Sequence, residues 1–146
     1  LEAESNMTFT GSILTVTNSS GASELTLVTP SANDSGVYFN DGSNAGALTY
    51  NHSDNSMRFR VNTSERLRID SSGHVLPAAN DTYDLGSSSL RWKDIYTGDL
   101  NLSNEGKSND VDGTWGNYTI QEGESDLFLI NNRNGKKYKF NLTEVS

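Results

Sequence analysis

Apolar residues in this chain come in short alternating runs, and this pattern constrains the fold more than any motif does. Ile13-Leu14-Thr15-Val16-Thr17, Glu24-Leu25-Thr26-Leu27-Val28, Val37-Tyr38-Phe39 and Ala47-Leu48-Thr49-Tyr50 are each only a few residues long and rich in β-branched and aromatic types. Met57, Phe59 and Val61 share one side of the next run, with Arg58 and Arg60 on the other, and Arg66-Leu67-Arg68-Ile69 repeats the alternation. A period of two is the mark of a strand with one face dry. Between the runs stand turn formers: Asn18-Ser19-Ser20-Gly21, Pro30 with Asn33-Asp34-Ser35-Gly36, Asp41-Gly42, Ser53-Asp54-Asn55 and Asp70-Ser71-Ser72-Gly73. Turn signals about every 8 to 12 residues are the spacing of all-β architectures.

These runs have little apolar material to bury. Leu, Ile, Val and Phe make up 31 of 146 residues, and the net charge is −8. That composition lies near the border of disorder. A small monomer already buries a modest fraction of its surface, so association with identical chains is the expected remedy. Strands this short and polar suit a narrow stem, in which each chain turns one apolar face to a shared axis, better than a two-sheet sandwich. Ser, Thr and Asn supply 50 residues, as turn and strand residues exposed to water.

Absent residues narrow the function classes. With no Cys, disulfides and thiolate metal sites are excluded. No apolar stretch approaches the roughly 20 residues of a membrane-spanning helix, and no signal peptide is recognisable. The opening Leu1-Glu2-Ala3-Glu4 lacks a start Met and reads as part of a longer chain. No basic excess suggests nucleic acid. Asn-x-Ser/Thr triplets occur at nine positions, Asn6, Asn18, Asn33, Asn51, Asn62, Asn80, Asn101, Asn117 and Asn141, as chance produces in so Asn-, Ser- and Thr-rich a chain.

Beyond residue 76 the pattern changes. Asp84-Leu85-Gly86-Ser87-Ser88-Ser89 can cap one short helix carrying Leu90, Trp92 and Ile95, with Trp92 four residues before Tyr96 and so expected in a core. A polar loop, Asn104 to Gly116, precedes an expected three-stranded meander of Tyr118–Gln121, Leu127–Ile130 and Tyr138–Leu142. Its last two strands are joined through Asn134-Gly135, a strong hairpin signal. The expected organisation is a β-stem over 1–76, a connector over 77–102 and a β-knob over 103–146.

Three stretches resemble known proteins. Tyr50-Asn51-His52-Ser53-Asp54-Asn55-Ser56-Met57-Arg58-Phe59, followed by Ser64-Glu65-Arg66-Leu67-Arg68-Ile69-Asp70-Ser71-Ser72-Gly73, resembles a segment common in phage tail-fibre and tail-spike proteins. Asp84-Leu85-Gly86-Ser87-Ser88-Ser89-Leu90-Arg91-Trp92-Lys93-Asp94-Ile95-Tyr96 looks like the motif joining such stems to terminal modules. The ending, from Asn117-Tyr118-Thr119-Ile120 to Lys137-Tyr138-Lys139-Phe140, resembles C-termini of structural proteins from marine phages, including cyanophages. The resemblance implies an elongated, intertwined homotrimeric β-stem, β-helix- or β-prism-like, on a virion and in contact with other virion proteins. In many relatives the Leu-Gly-x-x-x-x-Arg-Trp motif leads into a self-cleaving chaperone domain with a Ser/Lys pair. The residues after Leu102 do not match it, so autoproteolysis is not carried over.

Catalysis and metal binding find little to build on. His52 and His74 lie far apart beside turn residues, outside any metal-ligand spacing. Ser-His-Asp sets can be assembled on paper from any chain this rich in Ser and Asp. Paired carboxylates across a sugar would make a glycan-degrading spike, which usually needs a longer groove and a larger domain. Asn109-Asp110-Val111-Asp112-Gly113 looks like part of a calcium loop, but Thr119 stands where the closing Glu is required. It reads as an acidic turn. No cofactor is expected. Arg58, Arg60, Arg66 and Arg68 read as an outward row paired with Glu65 and Asp70 and shielding the strand edges, rather than as a polyanion site.

For binding, Trp115 and Tyr118 carry the expectation, with Asn109, Asp110 and Asp112 beside them in the loop. Flat rings with polar edges suit sugars, and such residues dominate recognition surfaces. The partner would be a host surface glycan or outer-membrane receptor, held by avidity over several copies. Alternatively Trp115 plugs the meander, and the chain is a spacer or trimerisation module that binds nothing.

Overall fold

The structure is a computed structural model and describes residues 7–11 and 13–145, with side chains described at 11 and from 14 to 145. Residues 1–6, with the Asn6 that opens the first triplet, lie outside the described residues. Eleven strands and no helix are found among the described residues. The chain divides into two compact units, Leu1–Leu85 and Gly86–Ser146.

In the first unit, β1 (Met7–Thr10) and β2 (Ile13–Val16) form an antiparallel ribbon. A five-stranded antiparallel meander follows: β3 (Asp34–Phe39), β4 (Gly46–Asn51), β5 (Ser56–Val61), β6 (Ser64–Ile69) and β7 (Val75–Pro77). Its register places Val37, Leu48, Phe59, Leu67 and Pro77 in one row across the sheet. Tyr50, Met57, Ile69 and Val75 lie on the same face, so the expected split of Met57, Phe59 and Val61 from Arg58 and Arg60 is realised in space. A bulge in β6 opposite Phe59 and Arg60 adds Arg66 to the strand and accentuates its twist.

Among the described residues the apolar face is largely open, with Tyr83 and Leu85 standing against its Leu67–Pro77 end. Leu48, Phe59, Leu67 and Ile69 are all more than a third exposed, and Ala47 is the one buried apolar side chain among the described residues. The opposite face is better enclosed. There Arg58 donates to Asp54 and to Ser56 Oγ at 2.8 Å, and Glu65 receives Arg68 Nε at 2.6 Å and approaches Arg58 Nε at 3.8 Å. Asp70, expected beside an arginine, instead holds His74 at 3.1 Å and the Ser72 and His74 amides. The tight turn at Asp70 makes it an Asx cap before its side chain can cross the sheet.

Two expected elements are absent. Glu24–Val28 is extended but joins no ladder, with Leu25 and Val28 largely exposed. Alternation gave it a strand's sides without supplying a neighbour to pair with. The connector helix does not form: residues 86–99 are bends and irregular backbone. Gly86 takes a left-handed φ of 92°, Ser87 N–H donates to Leu90 O, and Ser87 Oγ accepts the Leu90 amide. Serines that bond their own backbone compete with helix, and a helix this short needs a packing surface. None is provided within the unit, where Trp92, Ile95 and Tyr96 are exposed.

The second unit holds a four-stranded antiparallel sheet in the order β11-β10-β9-β8, from β8 (Leu100–Ser103), β9 (Asn117–Glu122), β10 (Leu127–Asn131) and β11 (Lys137–Lys139). The expected meander is present and enlarged by β8, but its last strand runs from Lys137 to Lys139 and stops short of the expected Leu142. Leu100, Ile120, Leu129 and Tyr138 form a row on one face. Asn101, Thr119, Ile130 and Lys137 form the row on the other.

Candidate functional site

The loop between β8 and β9 is built by its own side chains. Asn104 closes its neck: its N–H donates to Gly116 O at 3.2 Å, and its Oδ1 accepts the Gly116 amide at 2.6 Å. Inside, Asn109 is the hub. Its Oδ1 accepts the amides of Val111 and Asp112, and its Nδ2 donates to Asp112 Oδ1 and Thr114 O, both at 2.7 Å. Asp112 Oδ1 also accepts the Thr114 hydroxyl and amide. The Thr114 hydroxyl, its amide and Asn109 hold the Asp112 carboxyl below the usual carboxylate range. Short polar side chains that bond neighbouring backbone make such a loop self-supporting.

The five sequence-expected residues are therefore used unequally. Asn109 and Asp112 spend their polar atoms on the loop. Asp110 is exposed, and among the described residues no cluster of three metal-ligating side chains exists. Trp115 is half-buried, with the Arg133 guanidinium 3.8 Å from its ring centre and Arg133 Nη1 donating to its carbonyl at 2.7 Å. A cation over an indole face is a stabilising contact, and it occupies one face a sugar would use. Tyr118 is held at its hydroxyl by Asn131 Nδ2 at 3.0 Å, and Asn131 is buried.

Tyr118 and Asn109 do meet in a cleft of about 580 Å³, lined also by Asn101, Leu102, Ser103, Asn104 and Gly116. Trp115, Asp110 and Asp112 do not line it. Arg133, Asn131 and Asn104 went unnoticed in the sequence, because Arg133 reaches Trp115 across 18 residues and only the β9–β10 register brings them together. Asn-Gly at 134–135 signalled the turn that carries Arg133, but not where its side chain would fold.

No family model, curated protein or solved structure matches this chain. Its chemistry must be read from the geometry.

Among the described residues one serine hydroxyl lies within hydrogen-bond reach of a histidine ring. Ser35 Oγ lies 3.0 Å from His52 Nε2 and 3.0 Å from the Thr29 hydroxyl, and Tyr50 packs edge-on to the His52 ring at 4.9 Å. A catalytic set needs a third group that orients the base. Among the described residues His52 has no carboxylate partner. Ser35 Oγ also approaches Leu27 O at 3.3 Å, so the cluster ties the extended 27–29 segment to β3. A second cleft, about 640 Å³, lies in the first unit between Leu67, Val75, Pro77 and Leu85. Arg66 caps it, donating to the Tyr83 hydroxyl at 2.8 Å.

Proposed function

We propose that this chain is a structural, non-catalytic component of a phage virion fibre, assembled as an elongated homotrimer with an intertwined β-stem and a C-terminal knob. The observation that carries the reading is the largely open apolar row Val37–Leu48–Phe59–Leu67–Pro77. In and beside that row Leu48, Phe59, Leu67 and Ile69 are each more than a third exposed, where a covered sheet would bury them. Such a surface belongs to an obligate assembly, whose interfaces resemble a core cut open. Three copies, and a virion as their setting, come from the resemblance of Tyr50–Gly73, Asp84–Tyr96 and Asn117–Phe140 to phage fibre proteins. On this reading the exposed Leu90, Trp92, Ile95 and Tyr96 pack on neighbouring copies.

Sedimentation of the purified chain tests the assembly: a species three times the chain mass is expected, and a folded monomer refutes it. Host attachment is the role proposed for the knob, through a surface glycan at the Tyr118 cleft. A second reading, a spacer that binds nothing, is favoured by the self-satisfied Asn109–Asp112 loop and the Arg133 cap on Trp115. Cell-binding and glycan-array measurements separate the two. Loss of binding in Tyr118→Ala supports attachment at the cleft, and loss in Trp115→Ala alone moves the contact to the indole; no binding by the unaltered protein to any host cell supports the spacer.

A further inference from the structure

The two edges of the C-terminal sheet are unlike, and each bears what the other lacks. The edge strand β8 reads Leu-Asn-Leu-Ser, without charge, proline or bulge. Sheets normally guard such an edge. The other edge strand, β11, is Lys-Tyr-Lys.

Hydrogen bonding tells which backbone groups face outward. Asn104 N–H bonds Gly116 O, continuing the β8–β9 register by one residue. Antiparallel pairs alternate between bonded and non-bonded. Leu102 and Leu100 are therefore bonded to β9, while the N–H and C=O of Asn101 and Ser103 point to the open side. On β11 the Phe140 amide bonds Leu127 O and the Asn131 amide bonds Lys136 O. By the same alternation, Lys137 and Lys139 point their backbone groups outward. Each edge thus offers two residues, and all four carry their side chains on the same face of the sheet. Leu100, Leu102 and Tyr138 are on the opposite face.

Charge selects which edges can meet. Two β11 strands would set Lys137 against its copy, with Lys139 already paired to Asp126 of its own chain at 2.7 Å. Two β8 strands would bring together the carboxylates that flank them, Asp99 and Glu105. β8 against β11 joins opposite charges. With Asn101 facing Lys139 and Ser103 facing Lys137, Asp99 is diagonal to Lys139, and diagonal neighbours on one face interact. Asp99 does lie on that face, since Gln121 Nε2 donates to it at 2.8 Å. Tyr138 then faces Leu102 and extends the apolar row. A meander of four strands has antiparallel edges, so head-to-tail joining about an axis along the strands continues the antiparallel pattern through every copy. Heterologous contacts of this kind close into a ring where the rotation between copies closes, and a trimer requires that it does.

We propose that the open edge of β8 receives β11 of a second copy of this chain, so that the C-terminal sheets join edge to edge into one continuous sheet. The proposal rests on the homotrimeric reading above and says where its copies are stitched. Amide hydrogen exchange on the full chain tests it, alongside sedimentation. The amides of Asn101, Ser103, Lys137 and Lys139, unbonded within one chain, are expected to exchange about 100-fold or more slower than free amides. Free exchange at all four in a protein that sediments as a trimer overturns the edge joining and leaves the trimer standing. Protection of Asn101 and Ser103 alone overturns it too, since it signifies β8 paired with β8. A monomer overturns both readings. Ser103→Pro removes an outward N–H that the chain's own ladder does not use, and Ser103 Oγ otherwise accepts only the exposed Glu105 amide. It should raise the dissociation constant of the assembly about tenfold or more with the β9 and β10 amides still protected; unchanged assembly counts against the proposal.

Discussion

The five-stranded sheet of the first unit and the four-stranded sheet of the second are both single antiparallel layers, yet they leave different things unfinished. In the first, the ionic face carrying Arg58, Glu65 and Arg68 is the better enclosed one, and the apolar row from Val37 to Pro77 is largely open. In the second, Ile120, Leu127, Phe128, Leu129 and Ile130 are all half-buried, and amide side chains cross-link the polar face, as Asn132 does to Asn117 and Thr119 at 2.9 Å each. One sheet lacks a facing surface; the other lacks strands at its edges. Polar satisfaction is complete in both, with no buried side-chain nitrogen or oxygen unpartnered among the described residues. What the first sheet leaves open is apolar surface, and what the second leaves open is edge backbone.

Breaking that comparison is simplest at its centre. Phe59→Asp places a charge in the middle of the bare row. It should abolish assembly in sedimentation, a loss of more than about 3 kcal/mol per chain. The same substitution at Leu102, on the rim of the second sheet, should cost less. Equal effects would remove the distinction between the sheets.

Gly36→Ala probes the enclosed side of the first sheet. A Cβ there would stand 2.6 Å from Thr49 Cγ2 and 2.9 Å from Leu48 O, and the backbone oxygen cannot rotate away. Destabilisation by about 2 kcal/mol, read as a lower thermal midpoint, is expected. Arg133→Ala in the second sheet should cost about 1 kcal/mol by uncovering Trp115, with increased quenching of its fluorescence by acrylamide. A rise in glycan binding on the same substitution would sharpen the knob's role, since it frees a ring face.

Acid acts on both units. Hydrogen bonding from Ser56 and the Arg58 charge lower Asp54, the His74 and Ser72 amides and the His74 ring lower Asp70, and the Thr114 bonds lower Asp112. A carboxyl depressed in the folded state contributes stability that is present above its unfolded value, about 3.9, and lost as pH falls through the folded one. Thermal midpoints should hold from neutrality to about pH 5 and decline below pH 4. Asp54 and Asp112 are exposed and Asp70 is only half-buried, so solvent screens all three and the decline should be shallow. A flat profile down to pH 2 would remove these bonds from the balance.

Much of the strand order was legible in the residues. Of the three turns between Val37 and Ile69, two fall where Asp41-Gly42 and Ser53-Asp54-Asn55 put them, because turn chemistry is local, while the tight turn at Asn62-Thr63 carried no such signal. Side-chain alternation predicted the faces of β5 correctly for the same reason. Glu24–Val28 and the segment after Asp84 misled, because apolar period alone says nothing about whether a partner surface is near. Of the candidate site, the loop and Tyr118 were readable. The Arg133 cap, the Asn104 neck and the occupation of Asn109 and Asp112 were not, since each depends on contacts set by register.

Short alternating runs, scarce apolar mass and frequent turn residues determined by themselves that this protein is all-β, because strand periodicity and turn geometry are written within a few residues. Tertiary structure decided which face stayed bare, that β8 joins the C-terminal sheet, and that Trp115 lies under an arginine. Those outcomes depend on pairing between residues distant in the chain, where loop closure and hydrogen-bond register choose among partners that the local sequence leaves equivalent.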